Sequence, residues 1–214
     1  MTRIVLFGAS GLIGGLLVPL LDANDLNVVG RRSIGLAGER VAAVNDWPSV
    51  IADLRPEIAI STLGTTIGKA GSRSAFAAID HDAVVAVAKA ARAAGTRQFL
   101  MVSSVGAGTS AANFYLATKG RAEASVIALG FERLDIFRPG LLVGERVGDP
   151  RFAERLGILL SPLTNALTPR HFDKYRAIDA ADVATAMAQA VGAAARGLHI
   201  HHNRDMLEPA RKLA

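Results

Sequence analysis

The sequence predicts an α/β fold: a doubly wound parallel sheet in three α/β/α layers, with residues 1–214 forming a single domain. Short apolar runs of strand length alternate along the chain with apolar residues at helical spacing. This βα alternation is typical of parallel sheets with right-handed crossovers. Half of the 214 residues are apolar, which suits a sheet buried on both faces, and the length fits one domain of ordinary size.

Six strands are predicted in the first two thirds of the chain, at residues 3–7, 26–30, 40–44, 58–61, 98–103 and 132–137. We expect the spatial order 3-2-1-4-5-6, with a ligand at the carboxyl ends near the point between strands one and four where the order reverses. Asp179 is expected to cap a helix that runs to Val191, and residues 198–201 to form a last short strand. Residues 144–175, with a short helical pattern at 152–160, are interpreted either as a flap over the site or as a surface connection.

A glycine motif joins the first strand to the first helix. Gly8, Gly11 and Gly14 recur at spacing three, which is typical of a dinucleotide-binding turn. Gly8 allows a tight turn, Gly11 allows backbone N–H groups to approach a pyrophosphate, and Gly14 allows the helix to pack on the strand. The alternative is a strand–helix turn without a ligand. The predicted cofactor contacts in this turn are Gly8, Ser10, Gly11, Leu12, Ile13 and Gly14.

Two arginines follow the second strand where an NAD-selective site usually carries an acid for the ribose 2′-hydroxyl. Arg31 and Arg32 suit a 2′-phosphate instead, because a guanidinium pairs with phosphate through parallel hydrogen bonds. The sequence therefore favours NADP(H), with NAD(H) as the alternative cofactor; the pair could also be two solvent-facing arginines in a turn. Asp46 is predicted either to accept a hydrogen bond from adenine or to cap the helix near Pro48.

Small residues follow the fourth strand and let a cofactor pass over its end; the alternative is an ordinary Ser/Thr turn. The predicted contacts there are Thr62, Leu63, Gly64 and Thr65.

Proton-transfer residues are predicted after the fifth strand. Tyr115 and Lys119 are four residues apart, so their side chains share one helix face, and a nearby ammonium favours the phenolate form of a tyrosine. Such a tyrosine exchanges a proton with a carbonyl or alcohol oxygen, and a serine hydroxyl from Ser103 or Ser104 holds the same oxygen. Alternatively, Tyr115 is a partly buried aromatic and Lys119 pairs with Glu123.

These motifs together resemble the atypical short-chain dehydrogenase/reductases, and more closely the Tat-interacting oxidoreductase family, whose animal members bind NADPH. The matching stretches, within about residues 3–145, are the glycine turn, residues 30–32, 63–66, 68–71, 103–104, 115–120 and 137–140. The resemblance implies a Rossmann fold and a catalytic Ser–Tyr–Lys triad, in which it favours Ser104 and keeps Ser103 in reserve. It also implies that Lys119 contacts the nicotinamide ribose and that Pro139 and Gly140 lie near the nicotinamide. Assembly as a homodimer is compatible with the resemblance.

The function expected from the sequence is hydride transfer between NADP(H) and a small carbonyl or alcohol, with Tyr115 as general acid or base. The alternative is an NADP(H)-binding regulator that acts through protein partners. Nucleotide-sugar epimerisation is less expected, because the chain is too short for a full-size C-terminal substrate domain.

Composition and charge argue against nucleic-acid binding, membrane insertion and metal binding. The net charge is +5, but the cations are scattered and no basic run interleaves with aromatics, which disfavours nucleic-acid binding. There is no cysteine, no signal-peptide pattern and no apolar stretch long enough for a membrane span, so a cytoplasmic location is expected. Nothing among the five histidines suggests a metal site, and the last three, His199, His201 and His202, lack an acidic partner at convincing spacing, so no metal is expected. His171, Phe172 and Tyr175 are candidate substrate contacts or flap packing.

Overall fold

The computed structural model describes residues 1–21, 24–36, 38–144 and 176–207. Its strands are β1 (Arg3–Phe7), β2 (Asp25–Gly30), β3 (Arg40–Val41), β4 (Ile58–Ser61), β5 (Gln98–Val102), β6 (Arg133–Phe137), β7 (Leu141–Val143), β8 (Ala177–Asp179) and β9 (Gly197–His201). Seven of them form one parallel sheet in the order β3-β2-β1-β4-β5-β6-β9, and β7 and β8 form a separate parallel pair.

Helices connect most of the consecutive strands of the main sheet, as expected for parallel strands. They are α1 (Leu12–Leu17), α2 (Trp47–Leu54), α3 (Ile67–Ala70), α4 (Arg73–Ala77), α5 (Val84–Ala93), α6 (Phe114–Ile127) and α7 (Ala180–Ala190). A 3₁₀ turn, Val18–Leu21, continues α1, because Pro19 lacks the N–H that an α-helix would use. A π-helical turn, Ala78–Ala83, joins α4 to α5. Among the described residues, no helix is both long and apolar enough to cross a membrane.

The two faces of the sheet carry two hydrophobic cores. Successive side chains of a strand point to opposite faces, so Ile4 and Leu6 of β1 pack towards α1 and α7, whereas Val5 and Phe7 pack towards α2, α5 and α6. All four side chains are fully buried. On the second face, the ring of Phe7 lies 5.1 Å from the ring of Trp47, which anchors α2. The layers therefore stack as α/β/α, and the carboxyl ends of the strands form one open edge.

The predicted strand order is confirmed, and most strand ends agree within one residue. The third strand is shorter than predicted: it ends at Val41, because Val44–Asp46 form a 3₁₀ turn that leads into α2. The last strand, β9, is longer by one residue and joins the main sheet beside β6. As predicted, Asp179 caps α7 by accepting a hydrogen bond from the Ala181 amide at 2.9 Å. The β7–β8 pair was not predicted, and residues 145–175, which hold nearly all of the predicted flap, lie outside the described residues.

A buried polar network fastens the C-terminal strand to the sheet. The Asp135 carboxylate on β6 accepts hydrogen bonds from Arg133 Nε at 2.7 Å, Gln98 Nε2 at 2.8 Å and His201 Nε2 at 2.9 Å. Burial alone would raise the pKa of Asp135, but hydrogen bonds from His201, Arg133 and Gln98 outweigh it and lower the pKa below its ordinary value. Gln98 also donates to the Ala190 carbonyl at 2.7 Å, so the network reaches the end of α7.

Candidate active site

A cleft with a volume of about 650 Å³ opens at the carboxyl ends of β1, β2, β4 and β5. This is where the strand order reverses, the usual ligand position in doubly wound sheets. The predicted site residues that line it are Gly8, Ser10, Gly11, Leu12, Ile13, Arg31, Arg32, Thr62, Leu63, Gly64, Thr65, Ser103, Tyr115 and Lys119. The predicted site residues outside its lining are Gly14, Asp46, Ser104, Pro139 and Gly140.

The glycine turn forms one wall of the cleft. Gly8 has a φ of +94°, which favours glycine, and its carbonyl accepts a hydrogen bond from the Gly11 amide at 2.8 Å. A Cβ atom on Gly14 would lie 2.6 Å from Thr62 Oγ1 and closer still to the Gly8 carbonyl oxygen. Gly14 therefore packs α1 against the turn and the β4 loop, and the expectation that it contacts the cofactor does not fit this position.

The arginine pair lies at the far end of the cleft, after β2. Arg31 and Arg32 are exposed and line the cleft. The Glu39 carboxylate accepts hydrogen bonds from the Ser33 hydroxyl and from the Ile34 amide at 2.9 Å, so it holds the segment that follows the pair. The same hydrogen bonds, that of Ser33 foremost, lower the pKa of Glu39. Because Glu39 also lines the cleft, an acid does lie at this end, although the sequence offered none directly after β2.

Asp46 does not cap α2 with its side chain, and its predicted hydrogen bond to adenine stays a prediction. It occupies the N-cap position of α2, but its side chain makes no capping hydrogen bond, and it does not line the cleft. The neighbouring Trp47 lines the cleft instead, and its Nε1 donates to the Ala42 carbonyl at 3.1 Å.

The loop after β4 crosses the middle of the cleft. Thr62 Oγ1 donates to the Phe7 carbonyl at 3.0 Å, so this side chain fastens the loop to β1 beside the glycine turn. Farther along, the Thr65 amide donates to Asp80 Oδ2 at 2.9 Å. Gly64 lies between these two anchors, and a Cβ atom there would lie 3.5 Å from Asp80 Oδ1 and 3.6 Å from Lys119 Nζ.

Lys119 forms a buried ion pair with an acid from another helix. Its Nζ lies 2.8 Å from Asp80 Oδ1, and the two side chains are 5% and 0% exposed. Burial alone would lower the pKa of Lys119, but the negative charge of Asp80 outweighs it, with smaller contributions from Tyr115 and Glu123, and the pKa is raised. Glu123 itself is engaged by Arg138 Nε at 2.9 Å, so the predicted alternative of a surface Lys119–Glu123 pair does not fit the structure.

Tyr115 lies in the first turn of α6, where its position is set by a cap. The Asn113 side chain accepts hydrogen bonds from the amides of Tyr115 at 2.8 Å and Leu116 at 3.3 Å. The Tyr115 ring lies 5.4 Å from the ring of Phe76 on α4. Tyr115, Asn113 and Leu116 all line the cleft, so the start of α6 faces the same space as the glycine turn.

Of the two adjacent serines, the structure brings Ser103 rather than Ser104 to the cleft. Ser103 lines it, and the buried Ser103 Oγ has no hydrogen-bond partner among the described residues. Ser104 Oγ is directed to the Val105 carbonyl at 3.4 Å. The geometry therefore favours the residue held in reserve over the one preferred from the resemblance.

Pro139 and Gly140 are buried beside the cleft floor. The Pro139 carbonyl accepts a hydrogen bond from the Val105 amide at 2.9 Å, and the Gly140 amide donates to Asn203 Oδ1 at 2.8 Å. Both residues support the loops around Ser103 and the C-terminal helical residues 203–207, and neither lines the cleft. The candidate substrate contacts His171, Phe172 and Tyr175 lie outside the described residues.

Sequence reasoning missed Asp80. It lies four residues after Phe76 and three before Ala83, on the buried face of the same helical pattern. A carboxylate on such a face requires a compensating charge, and this signal was available in the sequence. Within the described ranges, no group of three or more His, Asp or Glu side chains is arranged to hold a metal ion.

Comparison with curated proteins reveals clear relatives in fungi. The protein FMP52 of Meyerozyma guilliermondii is 35% identical over 162 residues, which cover 71% of this chain and 70% of the relative. This chain belongs to the FMP52 family. The FMP52 of Emericella nidulans is 37% identical over 161 residues, covering 68% of this chain and 69% of the relative. No protein-family model matches the chain.

The FMP52 names correct one expectation from the sequence. Each of these relatives is named as a mitochondrial protein, as is FMP52-1 of Scheffersomyces stipitis. The predicted cytoplasmic location is therefore wrong on this comparison. The lack of a signal-peptide pattern was weak evidence for the cytoplasm.

Solved structures confirm the fold of this FMP52-family chain. L-threonine 3-dehydrogenase from Trypanosoma brucei has a TM-score of 0.70 at 14% identity, covering 94% of this chain and 75% of that chain. The dTDP-4-dehydrorhamnose reductase from Bacillus anthracis, solved with NADP, has a TM-score of 0.68 at 17% identity, with the same coverage of 94% and 75%. UDP-glucose 4-epimerase from Thermotoga maritima also has a TM-score of 0.68, at 16% identity, covering 93% of this chain and 76% of that chain. The predicted Rossmann-type fold is thereby confirmed.

Proposed function

We propose that this FMP52-family protein is an NADP(H)-dependent oxidoreductase of the short-chain dehydrogenase/reductase type, acting on a small carbonyl or alcohol. One observation carries the proposal: a single cleft joins the glycine turn and the Arg31–Arg32 pair to Tyr115, Lys119 and Ser103. A dinucleotide needs the first two features, and proton transfer at a carbonyl needs the last three. Kinship with the Tat-interacting oxidoreductases remains a prediction from the shared motifs.

The cleft residues fit a dinucleotide. At Gly8, a Cβ atom would lie 2.6 Å from Thr62 Oγ1, so only glycine fits this tight turn, and the turn leads into the N-terminus of α1, where a pyrophosphate would bind. Arg31 and Arg32 would hold the 2′-phosphate, and the loop at Gly64 would pass beneath the nicotinamide ribose, within reach of Lys119. The cleft volume of about 650 Å³ lies within the usual range for cofactor sites.

The chemistry follows from the remaining side chains. When bound, the nicotinamide ring supplies or accepts the hydride. The Tyr115 hydroxyl donates a proton to the carbonyl oxygen during reduction, or takes one from the alcohol during oxidation. Ser103 Oγ, which has no partner among the described residues, donates a hydrogen bond to the same oxygen and orients it. Lys119 would hold positive charge near this oxygen and would contact the cofactor ribose, the role that the resemblance implies.

A panel of small aldehydes and ketones, assayed by consumption of NADPH, tests the proposal. We expect turnover with at least one class of carbonyl, and loss of turnover in Tyr115→Phe with NADPH affinity kept. The alternative, an NADP(H)-binding regulator, predicts NADPH binding in both proteins and no turnover in either. Absence of NADPH binding would contradict both functions.

A further inference from the structure

The buried Asp80 carboxylate makes two contacts that join separate parts of the cleft. Its Oδ1 lies 2.8 Å from Lys119 Nζ on α6, and its Oδ2 accepts a hydrogen bond from the Thr65 amide of the β4 loop at 2.9 Å. A carboxylate that is fully removed from water is costly unless it is compensated; here Oδ1 is paired with the Lys119 charge and Oδ2 accepts the Thr65 hydrogen bond. One side chain therefore links the loop that passes the cofactor to the helix that carries Tyr115.

Asp80 reaches this position because of an irregular helix. It lies within the π-helical turn Ala78–Ala83, between the regular helices α4 and α5. A π-helical turn is rare and frequently occurs at functional sites. The irregular turn and the buried charge occur at the same residue, which indicates a role beyond packing.

Lys119 depends on this carboxylate for its charge. Its side chain is 5% exposed, and an amine buried to that extent loses its proton readily unless an opposite charge is close. The groups with electrostatic influence on Lys119 are Asp80 from the π-helical turn, and Tyr115 and Glu123 from its own helix. Because Arg138 already engages Glu123, Asp80 is the principal counter-charge.

We propose that Asp80 is a positioning residue for the reaction: its carboxylate keeps Lys119 charged and fixed beside Tyr115, and ties the Thr65 loop to the same point. The inference rests on the proposed oxidoreductase function for its catalytic consequence, but the state of Lys119 is measurable without any substrate. Asp80 lines the cleft, but its carboxylate is fully buried against Lys119 and Thr65, so in this proposal it acts through Lys119.

The first experiment follows the ionisation of Lys119 directly. The chain has five lysines, so a protein labelled with ¹³C at lysine Cε gives a simple spectrum, and Lys119→Arg assigns the Lys119 signal. We expect Asp80→Asn to lower the pKa of Lys119 by about 1 or more, the usual effect of losing an adjacent opposite charge. An unchanged Lys119 titration in a folded Asp80→Asn protein would overturn the proposal, whether or not the protein is an enzyme.

Asp82 provides a matched control on the same turn. Asp82 carries the same side chain two residues away, but this side chain is 69% exposed and pairs with His81. It does not contact Lys119. Asp82→Asn should leave the Lys119 titration and turnover as in the wild type. An equal shift in both variants would mean that the effect is a general change in charge, and would also overturn the proposal.

Turnover then tests the catalytic consequence. In Asp80→Asn we expect kcat to fall by about 10- to 100-fold, because a misplaced proton donor loses part of its catalytic advantage. We also expect the alkaline limb of the pH profile to move to lower pH, together with the pKa of Lys119.

Asp80→Glu keeps the charge but displaces it, so Lys119 should titrate close to the wild-type pH while kcat still falls. This second variant also covers the case in which Asp80→Asn does not fold. If both kcat and the Lys119 titration are unchanged in Asp80→Glu, the exact position of the carboxylate is unimportant. That result would overturn the proposed positioning role of Asp80.

Discussion

Ser103 and Ser104 are adjacent in the chain, but their hydroxyl groups lie in different surroundings. Ser103 lines the cleft with its Oγ lacking a hydrogen-bond partner among the described residues, whereas Ser104 Oγ is directed to the Val105 carbonyl. A buried hydroxyl without a partner is costly, and a substrate oxygen in the cleft would relieve that cost. The geometry therefore assigns the orienting serine differently from the sequence resemblance.

Replacing each serine by alanine tests this assignment. We expect Ser103→Ala to lower kcat/KM for the carbonyl substrate by about 100-fold, the usual effect of removing one donor to a developing oxyanion. Ser104→Ala is the matched control and should change kcat/KM little. A larger loss in Ser104→Ala than in Ser103→Ala would contradict the structure and restore the assignment based on the resemblance.

Arg31 is predicted to distinguish the two cofactors. In Arg31→Asp, NADPH affinity should fall by about 10- to 100-fold, because a charged hydrogen bond to the 2′-phosphate is lost, while NADH affinity changes little. Lys89→Asp, on the exposed face of α5, introduces the same change in net charge away from the cleft and serves as the control. Equal losses of NADPH and NADH affinity in Arg31→Asp would show that Arg31 does not contact the 2′-phosphate.

Gly14 is predicted to be a packing position rather than a cofactor contact. Its Cβ in Gly14→Ala would lie 2.6 Å from Thr62 Oγ1 and closer still to the Gly8 carbonyl oxygen, so α1 must move away from the glycine turn, and we expect a loss of about 1–3 kcal/mol in unfolding free energy. Gly68→Ala is the control, since among the described residues no packing neighbour lies within 4 Å of a Cβ there. Urea unfolding of both variants measures the difference; a Gly14→Ala protein as stable as the wild type would contradict the close packing.

Asp135 should make stability depend on pH in the acid range. Its pKa is lower in the folded protein than in the unfolded chain, so its carboxylate stabilises the fold above about pH 4, the ordinary value for aspartate. That contribution is lost as the pH falls through the lower folded value. We expect Asp135→Asn to be less stable than the wild type at neutral pH, and the difference to narrow on acidification.

Urea unfolding at several pH values measures this difference for Asp135→Asn. Asp25→Asn removes an exposed partner of Arg3 and should have little effect at any pH. A stability difference for Asp135→Asn that stays constant from neutral to acid pH would rule out the ionised network.

The sheet was predictable because its signals are local. Each buried strand is a short apolar run, and the alternation with helical patterns fixes a parallel order, so strands at 3–7 and 58–61 were placed without error. The third strand was not: residues 42–44 are apolar, but Ala42 supplies its carbonyl to Trp47, and the chain turns into a helix instead. The β7–β8 pair joins segments far apart in sequence, and no local pattern indicates such a pairing.

The candidate site was predictable where the chain itself carries the chemistry. The glycine turn, the arginine pair and the Tyr115–Lys119 spacing are sequence motifs, and the structure brings them to one cleft. Which of Ser103 and Ser104 faces the cleft depends on how the chain leaves β5. The partner of Lys119, Asp80, comes from a different helix. These two features are tertiary, so the sequence left the choice between Ser103 and Ser104 open, and Asp80 was not predicted as the partner of Lys119.

Titration of the purified protein with NADPH and with NADH, followed by nicotinamide fluorescence, tests whether the cleft binds a dinucleotide. The cleft predicts saturable binding of both at one site per chain, with NADPH bound more tightly and the preference lost in Arg31→Asp. Failure of both nucleotides to bind the folded protein would contradict the proposed function and leave the glycine turn as a structural element alone.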